Sequence, residues 1–130
     1  MRMLREEIMA CADPHVRTAE VDHSYEATFR FADDFTGFQG HFPEFPILPA
    51  FVQLTMGECA LRLSGRSEWI TSRVERSKFL KTIRPNQALV LRWQEQPLEE
   101  RLRCSFTLLA DGEKAAVFTI TFVAGERSHA

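Results

Sequence analysis

Gly40-His41-Phe42-Pro43-Glu44-Phe45-Pro46-Ile47-Leu48-Pro49, running straight into the apolar stretch Ala50-Phe51-Val52-Gln53-Leu54-Thr55-Met56, decides the reading of this chain. Proline fixes φ, lacks an N–H donor and pushes the residue before it out of the helical region. Pro43, Pro46 and Pro49 therefore predict a stiff, extended loop that holds His41 in one place. Proline is favoured at or just before a first helical turn, so Pro49 predicts a helix from Ala50 to about Leu63, with Gly65 as its C-terminal stop. Phe51, Leu54, Gly57-Glu58 and Leu61 follow a helical repeat, and Val52, Met56 and Cys59 widen the apolar surface. A helix this apolar is expected to be buried on most sides. A rigid loop ending at a helix N-terminus suits a general base beside an anion-stabilising site.

Outward from that stretch the pattern changes period. Val21, His23, Tyr25, Ala27, Phe29 and Phe31 alternate with polar residues, which predicts a half-buried strand over 20–31. Upstream, residues 1–17 read as a short helix and a loop broken at Asp13-Pro14. Downstream, Trp69–Phe79 and Ala88–Gln94 alternate on either side of the Arg84-Pro85-Asn86 turn. Leu102–Leu109 and Lys114–Val123 flank Asp111-Gly112, a strong hairpin signal. Residues 125–130 read as a frayed tail. The expected fold class is α+β, an antiparallel sheet wrapped around one long apolar helix. It forms one domain over 1–130 with its core at about 18–124. Such a sheet exposes edge strands, and pairing two subunits edge to edge closes them.

The composition sets bounds. The 130 residues suffice for a full core. A net charge of -2 gives no reason to expect nucleic acid or an acidic membrane surface as partner. Eleven Phe against one Tyr point to a large apolar interior or tunnel with little need for buried hydroxyls. Cys11, Cys59 and Cys104 make no CxxC pair and are expected as free buried thiols in a reducing cytoplasm. The histidines lack metal-ligand spacing, so no metal is expected. No secretory signal, membrane span or cofactor-binding motif is read.

Gly40-His41-Phe42-Pro43, Pro46-Ile47-Leu48-Pro49 and the helix that follows resemble the hotdog-fold 3-hydroxyacyl-acyl-carrier-protein dehydratases of the FabA/FabZ type. Ser77-Lys78-Phe79-Leu80-Lys81-Thr82-Ile83-Arg84-Pro85 and the Asp111-Gly112 hairpin continue the likeness, which spans roughly residues 20 to 123. The Ile-Leu-Pro-Ala form of the loop is similar to the variant dehydratases of aryl-polyene type. The resemblance implies roles. His41 would be the general base taking the α-proton of a 3-hydroxyacyl thioester. The Ala50 N–H, where the family usually has glycine, would stabilise the enolate-like oxygen. Phe42, Pro49, Phe51, Leu54, Phe79 and Arg84 would line or reach the substrate. The substrate would arrive on a phosphopantetheine thioester of an acyl carrier protein or coenzyme A, with no other cofactor. A homodimer or dimer-based oligomer would share the site.

One position departs. Where the family has a carboxylic acid, fourteen residues after the histidine, this chain has Thr55. Losing a general acid typically costs about 10²–10⁴-fold. Glu58 lies three residues on and shares the face, so it reaches the same side or pairs with Arg62 at i+4. Thr55 also reads as a helix residue bonded to its own carbonyl. Asp33 and Asp34 read as turn caps. Arg73, Arg76, Lys78, Lys81 and Arg84 read partly as a solvated face and partly as a surface for an acidic carrier or a pantetheine phosphate. Three functions follow from these residues: a dehydratase with Thr55 or Glu58 in place of the acid, a thioesterase on the same scaffold, or a non-catalytic acyl-carrier-binding or heterodimer subunit.

Overall fold

The structure, a computed structural model, describes residues 4–19, 24–38, 46–66 and 68–125. The loop residues His41 and Phe42 lie outside the described residues, as does most of the Gly40–Pro49 stretch before Pro46. A short helix α1 (Leu4–Ala10) precedes β1 (Arg17–Ala19) and β2 (Ser24–Phe29). A single 3-10 turn, Thr36–Phe38, leads towards the long helix α2 (Ala50–Leu63). Four strands complete the chain: β3 (Trp69–Phe79), β4 (Leu89–Leu98), β5 (Arg101–Ala110) and β6 (Glu113–Ala124). They form one six-stranded sheet in the order β1-β2-β4-β5-β6-β3, with every neighbouring pair antiparallel.

The sheet is specified by alternation. Along β5, Leu102, Cys104, Phe106, Leu108 and Ala110 are buried, and the residues between them are not. Phe106 faces Phe118 across the β5–β6 ladder, with ring centroids 5.2 Å apart, and also lies 5.7 Å from Trp93 on β4. These offset contacts tie three strands into one aromatic layer. Asp111 (φ 49°) and Gly112 (φ 83°) form the two-residue turn between β5 and β6. Positive φ at both central positions matches the twist of a tight hairpin, which is why Asp-Gly stands there.

Helix α2 lies on this layer. Val52, Met56, Cys59, Ala60 and Leu61 face the core. The helix packs tightly against the sheet at Gly57. A Cβ there would stand 3.0 Å from Ile120 Cδ1 and 3.1 Å from Phe106 Cζ. The buried face therefore follows the 52/56/59–60 spacing. Phe51, expected to face inward, is 55% exposed. The helix stops at Ser64, where the Arg66 N–H returns to the Leu61 carbonyl.

Other departures have simple causes. β1 was not read from the sequence because three residues carry too short a pattern to register. Strand β4 runs four residues past Gln94, through Glu95-Gln96-Pro97-Leu98, because β5 pairs with it along its whole length. Strand β3 matches its expected bounds. It pairs only with β6, carries two register shifts and holds Arg76 at φ 54°. Its outer edge has no partner among the described residues.

Candidate functional site

Two concavities flank α2. The first, about 340 Å³, is lined by Arg5, Leu54, Thr55, Glu58, Ile70 and Thr71. It gathers α1, the outward side of α2 and the start of β3. Thr55 Oγ1 donates to the Phe51 carbonyl at 2.6 Å, so its proton is committed to the helix and its lone pairs face outward as acceptors. Glu58 is 3% exposed. Its Oε1 accepts from the Thr71 N–H at 2.8 Å and from the Thr71 hydroxyl at 3.1 Å. Its Oε2 pairs with Arg5 and stands 3.9 Å from Arg62. Glu58 thus bolts α1, α2 and β3 together while lining the same cavity as Thr55. Arg5 and Thr71 had no signal in the sequence, because only the crossing of α1 and β3 over α2 brings them there.

Beside this network Cys59 is buried, and its Sγ–H donates to the Arg5 carbonyl at 3.7 Å. Burial, reinforced by the charge of Glu58, pushes its thiol up to about 12. Burial likewise raises the Cys104 thiol well above the ordinary range. None of the three cysteines forms a disulfide.

The second concavity, about 290 Å³, opens at the N-terminus of α2. Ile47, Leu48, Pro49, Ala50, Gln53 and Phe79 line it, and Leu80–Thr82 close its far side. The Leu48 N–H donates to the Ile83 carbonyl at 2.8 Å, which fixes the approach to the helix against the chain after β3. Pro49 is the N-cap and offers no side-chain cap, while its carbonyl accepts from the Val52 and Gln53 N–H groups. The first N–H groups of a helix have no intrahelical acceptor, and those of Ala50 and Phe51 find none among the described residues.

Of the residues expected at the substrate, Ala50, Pro49 and Phe79 therefore meet in one cleft, and Leu54, Thr55 and Glu58 meet in the other. Phe51 lines neither and projects outward. Arg84 is exposed in the turn before β4, its N–H donating to Gln87 Oε1 at 2.8 Å. Arg73, Arg76 and Lys78 are exposed along β3, whereas Lys81 is paired with Glu113. Asp33 accepts from Asn86 Nδ2 at 2.8 Å, a turn-bracing role. No cluster of three metal-ligating side chains occurs among the described residues. No described helix is long and apolar enough to cross a membrane.

An antiparallel sheet carrying one buried helix, with clefts along that helix, is the hotdog arrangement. The chain belongs to the ApeI-like dehydratase family, whose model matches residues 17–119. It is 33% identical over 95 residues to the 3-hydroxyacyl-[acyl-carrier-protein] dehydratase FabZ of Latilactobacillus sakei subsp. sakei (strain 23K), covering 66% of this chain and 67% of that protein. Among solved structures, the dehydratase heterocomplex ApeI:P from Xenorhabdus doucetiae matches with a TM-score of 0.65 at 21% identity, over 84% of this chain and 94% of that one. A hypothetical thioesterase with coenzyme A from Streptococcus pneumoniae TIGR4 matches with a TM-score of 0.67 at 11% identity, over 96% and 97%. These two likenesses are of fold.

Proposed function

We propose that this chain is a dehydratase of 3-hydroxyacyl thioesters, carried on an acyl carrier protein or coenzyme A. The observation that carries the reading is the first turn of α2. The Ala50 N–H, which finds no acceptor among the described residues, stands at the cleft that opens at the helix N-terminus, after the loop carrying His41 in the sequence. A thioester carbonyl held at the Ala50 N–H gains stabilisation as negative charge develops on its oxygen. His41 takes the proton from C2. The electron pair left behind forms the C2–C3 double bond, and the C3–O bond breaks. The departing hydroxyl takes up the proton that His41 removed from C2 and leaves as water, which returns His41 to its neutral form. Thr55 lines the other concavity, so it meets this hydroxyl from a second subunit of a dimer; with its hydroxyl donating to the Phe51 carbonyl, it acts there as an acceptor that orients the hydroxyl or a water rather than as the acid. The edge of β3, without a partner among the described residues, and the exposed Phe51, Ile70, Val74, Phe79 and Leu80 support a dimer in which this edge is covered.

Thr55 itself favours a second reading, in which a different subunit supplies the carboxylate. The ApeI:P heterocomplex of Xenorhabdus doucetiae is a dehydratase built from two kinds of chain. One assay separates the readings: hydration of 2-enoyl thioesters and dehydration of 3-hydroxyacyl thioesters by the purified chain, beside His41→Ala and Thr55→Glu. Turnover that is lost in His41→Ala supports the first. A wild type that is inert, with Thr55→Glu active, supports the second. Free thiol released from saturated acyl thioesters would instead favour a thioesterase.

A further inference from the structure

Gln53 stands out in α2 as a polar side chain on a core-facing position, 4% exposed. Its Nε2 donates to the Leu48 carbonyl at 3.1 Å, which fixes the orientation of the amide. Its Oε1 is buried with no hydrogen-bond partner among the described residues. A buried acceptor left unpaired is costly, and a native structure keeps one where a ligand or water completes it. Gln53 also lines the cleft at the N-terminus of α2. It lies three residues after Ala50, so the two share a helix face with side chains roughly 5–6 Å apart.

The cleft therefore has the Ala50 N–H at its helix end and the Gln53 side chain, with its unpaired acceptor sealed from solvent, a single turn further along. A ligand that matches must carry an acceptor and a donor about one helical turn apart. An acyl thioester on a pantetheine arm does so, because two methylenes separate its sulfur from the first amide N–H. We propose that Gln53 is a substrate-binding residue whose Oε1 accepts that amide N–H while the thioester carbonyl sits at the Ala50 N–H. This rests on the reading of the chain as an acyl-thioester enzyme and adds how the arm is recognised. Gln53 fixes the register of the arm, so that the carbonyl arrives at the donor and not one bond short of it. Lys81, on the far side of the cleft, is engaged with Glu113, so no charged anchor there competes for this part of the arm.

The test compares two ligands that differ in one donor. Hexanoyl-S-N-acetylcysteamine carries the N–H, and the hexanoyl thioester of O-acetyl-2-mercaptoethanol has an ester oxygen in its place. Binding is measured by calorimetry, with dehydration of the matching 3-hydroxyacyl pair followed separately. The wild type should bind the amide about tenfold tighter than the ester, the usual worth of one buried neutral hydrogen bond. Gln53→Leu should bind both equally, at the level of the wild type with the ester. Gln53→Met, with a longer apolar side chain, should do the same if Gln53→Leu folds poorly. Equal binding of both ligands by the wild type, retention of the preference in either variant, or no binding of either ligand overturns the proposal. Turnover without discrimination would overturn it and leave the dehydratase reading standing. Discrimination without turnover would leave it standing and overturn the dehydratase reading.

Discussion

Removing the Glu58 carboxylate should unsettle the fold before it touches the chemistry. Its Oε1 holds the Thr71 N–H at 2.8 Å on an edge strand whose other side has no partner among the described residues. Hydrogen bonds to a charged group are worth about 1.5–3 kcal/mol, and this one joins the helix to β3. The Arg5 side chain is 45% exposed, so that pair is discounted to ~0.5 kcal/mol. Arg62 is less exposed, and its Nε is buried without a hydrogen-bond partner among the described residues, so losing Glu58 leaves it poorer still. Together these give Glu58→Ala a loss of ~2–3 kcal/mol, or a fall in Tm of about 10 °C for a domain of this size. Glu58→Gln keeps an acceptor for Thr71 and gives up the ion pairs, so it should lose only ~1 kcal/mol. Urea or thermal unfolding of the two variants measures both values. Dehydration should persist in Glu58→Gln to within a few-fold. A Glu58→Gln variant as stable as wild type but slower by ~10²-fold or more would refute this reasoning and identify Glu58 as the proton donor.

Three further outcomes follow from packing and charge. Gly57→Ala places a Cβ against Ile120 and Phe106, the latter locked among Trp93, Phe118 and Phe122. It should cost about 1 kcal/mol despite alanine's better helix propensity, and Gly57→Val about 3 kcal/mol, both read by chemical denaturation. Thiolate is the reactive form of cysteine, so Cys59 and Cys104 should resist a thiol reagent at pH 8 until the chain is unfolded, as followed by mass spectrometry. The Gln87 side chain and then the Ala88 N–H, each 3.0 Å away, hold the Asp111 carboxyl below its ordinary 3.8. A depressed folded-state value contributes stability above the unfolded one and loses it as pH falls through the folded one. Asp111→Asn should therefore lower Tm at pH 7, with the gap closing on acidification past 3.8; a gap that persists at the acid end would rule out this linkage.

The legible parts of the fold were those where one short-range rule acts alone. Asp111-Gly112 specifies its turn by backbone sterics, and Pro49 with Ser64-Gly65 brackets α2. Strand β3 keeps the bounds read for it, although all but Trp69 and Glu75 are exposed, so its pairing with β6 rather than a buried face defines it. The sheet order was not legible, because the crossover that carries the chain from β2 to β3 at the opposite edge is decided by packing. The site divided the same way. The helix start was visible in Pro49, whereas the loop before Pro46 lies outside the described residues; Glu58, read as reaching the side of Thr55 or pairing with Arg62, lines a cavity with Thr55 and stands 3.9 Å from Arg62. Gln53 has a sequence signal of its own, one amide within the apolar run Val52 to Leu54. Arg5 carried none, being 53 residues from Glu58 in the chain and beside it only through the docking of α1.

The place of β6 in the sheet has a consequence for how the chain is made. It is the last strand in sequence, yet it lies between β5 and β3 and supplies Ile120 beneath the helix. Helix α2 and strand β3 leave the ribosome with their covering surface still unwritten. At typical rates, the ~60 residues between the end of α2 and the end of β6 take roughly 3–12 s to synthesise. For that time the most apolar helix of the chain waits in the open. A nascent chain halted before Glu113 should be the species that chaperones hold.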